Sequence, residues 1–70
     1  MPDRHDRIAD VERRIADHEE RLYAIRSELA RLSAYGHTDI MLETEARTLE
    51  ERLKTMRDYR ALLLGRNNGS

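Results

Sequence analysis

The chain has no cysteine, phenylalanine or tryptophan, and only one proline and three glycines among its 70 residues. Without cysteine there is neither a disulfide staple nor a thiolate metal site. That absence weighs on a short chain, which buries only about 60% of its unfolded surface and needs help beyond a single core. Scarce helix breakers, with charged and hydrophobic residues at 39% each, favour long helices over a sheet or a disordered tail. No segment approaches the roughly 20 apolar residues of a membrane span, and MPDRHDRIAD lacks the apolar run of a signal peptide. The expectation is a soluble, cytoplasmic protein with no membrane contact. A net charge of -1 gives no bulk attraction to nucleic acid or anionic lipid, so only local patches could serve that purpose. The preference for arginine over lysine, twelve to one, is a compositional trait of GC-rich bacterial or phage genomes.

What is present is a heptad pattern. Apolar residues recur at Ile8, Val11, Ile15, Leu22, Ile25, Leu29 and Leu32, with His18 in the one gap. Steps of three and four residues keep one side of a helix apolar and predict a coiled-coil-like seam. The pattern resumes at Leu42, Ala46, Leu49, Leu53, Met56 and Leu63, with Arg60 in the seam. Between the two runs lies SAYGHTDI, residues 33–40. Gly36 suits the left-handed conformation that ends a helix, and Thr38 or Asp39 suits the cap of the next.

These signals predict an all-α antiparallel helical hairpin, with helix 1 over about 3–34, a turn at about 35–38, helix 2 over about 39–64 and a flexible tail at 65–70. Folding back at the turn sets Leu32 against Leu42, Leu29 against Ala46, Ile25 against Leu49, Leu22 against Leu53, His18 against Met56, Ile15 against Arg60 and Val11 against Leu63. The two polar seam residues then avoid each other. A domain-swapped extended helix remains the alternative topology. Acid-before-base pairs four residues apart, Asp3–Arg7, Asp10–Arg14, Asp17–Arg21, Glu43–Arg47 and Glu50–Lys54, are expected to support the helix surfaces.

One seam does not occupy all the apolar surface. Ala9, Ala16, Tyr23 and Ala30 form a second row on helix 1, and Tyr59, Ala61, Leu62, Leu63 and Leu64 surround the end of helix 2. A helix apolar on every side expects burial on every side. The prediction is a homodimer, two hairpins forming a four-helix bundle, with Tyr59, Leu62, Leu63 and Leu64 as self-association residues. Tyr23, Tyr35 and His37 are candidates for a partner surface, since aromatic residues recur at binding hot spots.

Chemistry has little to work with. No glutamate is followed three residues later by a histidine, and His5, His18 and His37 are scattered, so no metal or cofactor is expected. The serines, Ser27, Ser33 and Ser70, are expected to lack a histidine at helical spacing, and the isolated glycines build no phosphate loop. His18 in a seam is either a pH-responsive group or, more simply, a polar register-setter bonded to a neighbour. The two-helix plan resembles that of the small sporulation aspartyl-phosphate phosphatases. Their Ser-Gln-x-x-x-Asp signature is missing from the corresponding TEARTLEERL, so the resemblance implies no activity here.

The functional expectation is a non-enzymatic protein–protein interaction module, acting as adaptor, assembly element or small regulator of a partner protein. The alternative is a small dimeric nucleic-acid binder that touches phosphates through Arg52, Lys54, Arg57 and Arg60.

Overall fold

A computed structural model describes residues 4–65 of the chain, and its secondary structure is two helices, α1 (Arg4–Ala34) and α2 (Ile40–Leu63), packed against each other. No strand occurs among the described residues. Asp3, and with it the expected Asp3–Arg7 pair, lies outside the described residues, as do residues 66–70 of the expected tail.

The reversal is built from backbone hydrogen bonds. The His37 N–H donates to the Leu32 carbonyl at 2.9 Å and the Gly36 N–H to the Ser33 carbonyl at 2.9 Å. This crossed pair is the Schellman arrangement, and it needs a left-handed residue at Gly36, whose φ is +76°. Asp39 then caps α2: its backbone is extended and its carboxylate accepts from the Leu42 N–H at 3.1 Å. Thr38, the other candidate cap, instead donates its hydroxyl to the Glu43 carboxylate at 2.6 Å. With Asp39 as cap, the first helical residue is Ile40. At the far end Gly65 repeats the left-handed conformation, with φ +73°, and its N–H donates to the Leu62 carbonyl.

The seam follows the heptads. Val11, Ile15 and Leu53 form one buried cluster, with Leu22, Met56 and Leu63 packed against it. Ile25, Ala46 and Leu49 form the other, with Leu22, Leu29 and Leu42 around it. Leu22 therefore joins the two. Leu53, expected opposite Leu22, shares a cluster with Ile15, which was set opposite Arg60; a knob between helices meets several facing residues, not one. His18 and Arg60, the polar seam residues, are half-buried. Each fully buried aliphatic side chain contributes about 1.5–3 kcal/mol relative to exposure.

The surface pairs depart from expectation. Asp10 and Arg14 do pair at 3.3 Å. Arg21, however, crosses to Glu45 on α2, and Glu50 receives Arg26 of α1. Lys54 pairs with Asp58 at 3.1 Å instead of Glu50, and the Glu43 carboxylate accepts the Thr38 hydroxyl. Side chains flanking the seam are as near to the facing helix as to their own next turn, so acids and bases link α1 to α2.

Candidate interaction surfaces

The molecule measures 49 × 26 × 15 Å, so its thin dimension is a single layer of helices. Both broad faces of the pair meet solvent, and the side chains that do so are not all polar. Tyr23, Tyr35, Ile40, Met41, Tyr59, Leu62 and Leu64 are exposed, while only Val11, Ile15, Ile25, Ala46, Leu49 and Leu53 are fully buried among the described residues.

The predicted association residues divide. Leu63 turns inward and packs on the Val11–Ile15–Leu53 cluster, whereas Tyr59, Leu62 and Leu64 point outward. Tyr59 borders a depression with Arg7, Asp10 and Val11, and Leu64 borders a different one with Glu12 and Ala61. The end of α2 thus presents apolar groups on two faces. Tyr23 lies in the middle of α1 and Tyr35 just beyond its end, twelve residues on, so they form two separate exposed points. His37 is exposed at the turn beside Tyr35. Ile40 and Met41 open α2 in full exposure next to them; the sequence signal was there, as two apolar residues preceding the seam at Leu42.

The four cations of the expected phosphate surface do not act as a group. The Arg57 guanidinium donates to Glu19 of α1 at 2.7 Å, and Lys54 binds Asp58. Arg60 is half-buried beside Leu64, and Arg52 lies on another side, next to His18. Elsewhere, Arg31 donates to Glu28 at the end of α1, and that hydrogen bond, with the attraction of the same carboxylate, raises the Arg31 pKa.

The broad faces are unlike. Over the middle of one, Arg26–Glu50 and Arg57–Glu19 bridge the helices. Along the other runs a shallow open groove, bordered at its centre by Arg14, His18, Thr48, Arg52, Thr55 and Met56, with a volume of about 450 Å³ there. Toward the turn it reaches Asp17, Arg21 and Glu45, and toward the open end Val11 and Tyr59. His18 stands in its wall, its Nδ1 donating to the Arg14 carbonyl at 2.9 Å one turn back. The neighbour it bonds is thus the backbone of its own helix. The groove was not legible in the sequence, because Thr48 and Thr55 fall outside the seam.

Among the described residues no three His, Cys, Asp or Glu side chains converge to hold a metal ion, and no helix is long and apolar enough to cross a membrane. Ser33 and His37 do stand four residues apart, contrary to the expected absence of a spaced base, but α1 ends at Ala34 and the two straddle the turn. No family model, curated protein or solved structure matches the chain.

Proposed function

We propose that the chain is a protein–protein interaction module without catalytic chemistry: a helical hairpin that associates with itself and serves as an adaptor, assembly element or regulator of a partner protein. The observation that carries this reading is the imbalance of apolar side chains. Seven large ones are exposed on a single layer of two helices whose fully buried core is six residues, one of them alanine. Apolar exposure on this scale, relative to so small a core, points to surfaces that another molecule covers, and two stacked hairpins would supply the second layer that helical domains normally have.

Nucleic-acid binding has less support. Two of its four cations, Lys54 and Arg57, are held by carboxylates of the same molecule, which weakens any claim on phosphate.

Sedimentation equilibrium on the full chain at micromolar concentration tests the proposal. A dimer or larger assembly that retains helical circular dichroism is expected. A folded monomer would remove self-association from the reading, and salt-sensitive binding to duplex DNA or RNA would favour the alternative.

A further inference from the structure

We infer that the groove between α1 and α2 is the seat of a second copy of this chain, with the two α2 helices lying antiparallel, each in the groove of the other hairpin. The inference rests on the self-association proposed above and names its face and geometry.

A row of residues runs along α2 outside the seam. Met41, Thr48, Thr55 and Leu62 follow one another at intervals of seven residues, and none is charged. That interval keeps residues on one side of a helix and is the spacing at which one helix lies along another. Thr48 and Thr55 border the groove at its centre, and Met41 and Leu62, 79% and 57% exposed, continue the row along α2 one heptad beyond them in either direction. A row of four uncharged residues, on a chain in which 39% of residues are charged, loses less on leaving water than the charged surface around it.

The row is also its own complement. A two-fold axis crossing α2 between Glu51 and Arg52 brings Met41 of one copy to Leu62 of the other and Thr48 to Thr55, so that bulky ends meet bulky ends and small residues meet small residues where the helices run closest. The same axis sets Glu51 of each copy beside Arg52 of the other. Both residues border the groove, and neither has an ion-pair partner among the described residues of its own chain. A symmetric dimer requires this kind of self-complementary patch. A net charge of -1 per chain opposes the approach of two copies only weakly.

Size agrees as well. Met41 to Leu62 spans six helical turns, about 32 Å of helix, and a face of 49 by 26 Å has room for the roughly 800 Å² per partner that a stable interface buries. The opposite face is the poorer seat, because two bridges, Arg26–Glu50 and Arg57–Glu19, cross its middle and a second copy would have to break or bury both, whereas the groove face carries one, Arg21–Glu45, toward the turn.

Charge reversal and cross-linking together test the geometry. In sedimentation equilibrium, Glu51→Arg alone and Arg52→Glu alone should each weaken the dimer by about tenfold by setting like charges together, and the double variant E51R/R52E should recover most of the loss. Because the chain has no cysteine, T48C and T55C can be mixed and oxidised with diamide. The mixed disulfide between T48C and T55C should form in preference to either homodimer. A wild-type dimer indifferent to all three charge variants, or one in which T48C couples best to T48C, overturns this arrangement and leaves self-association standing. A wild-type chain that stays monomeric, together with no mixed disulfide between the T48C and T55C variants, overturns both.

Discussion

At the scale of single residues, the turn concentrates what the fold requires. A Cβ at Gly36 would meet nothing within 4 Å, so replacing it tests backbone conformation alone. Gly36→Ala should cost about 1–2 kcal/mol, the penalty of a left-handed alanine, read as a lower urea midpoint with unchanged slope. Asp39→Ala should cost about 1 kcal/mol by leaving the Leu42 N–H without its acceptor, whereas Thr38→Ala removes only an exposed hydroxyl contact with Glu43 and should cost markedly less. Equal losses for the two would contradict the assignment of the cap. Gly36 was legible in the sequence because few residues tolerate a positive φ. The choice between Thr38 and Asp39 was not, since both side chains can cap a helix and only the path of the backbone into Leu42 decides which carboxylate or hydroxyl faces the free N–H groups.

The two helices put the same contrast in terms of packing against charge. The seam could be read because a 3.5-residue period is a property of sequence, and Leu53, 2% exposed, sits where that period places it. The ion pairs could not be read: Arg21 has Asp17 one turn back and Glu45 across the seam, and only the spacing of the helices selects Glu45. The groove stayed hidden for a similar reason, since a threonine beside a seam looks like any solvated residue until the neighbouring helix makes a wall. Packing and charge should differ sharply in energy. Leu53→Ala should cost about 2–5 kcal/mol through lost contacts and the cavity left behind, enough to unfold much of so small a core. Arg26→Ala breaks a bridge between half-exposed side chains and should cost less than about 1 kcal/mol. Thermal melts followed by circular dichroism separate these cases, and an Arg26 variant as damaged as the Leu53 variant would mean that the bridges, not the seam, hold the hairpin closed.

For the whole molecule, one layer of two helices with apolar side chains on both sides makes stability the test of the proposed self-association. If folding and association are coupled, melting follows mass action and the midpoint rises with protein concentration. An unfolding enthalpy of about 0.7 kcal/mol per residue gives about 100 kcal/mol for two chains, hence a rise of about 5 °C for each tenfold increase in concentration near 60 °C. A hairpin that folds alone melts at one temperature whatever its concentration. Following the melt from about 1 to 100 μM, where the coupled case moves the midpoint by about 10 °C, therefore distinguishes a fold completed by its own copy from one that is stable by itself. The Glu51→Arg variant sharpens the reading: a weaker dimer with an intact core should melt lower than wild type at every concentration while keeping the same dependence, whereas a variant damaged in the seam should lose helix even at the highest concentration.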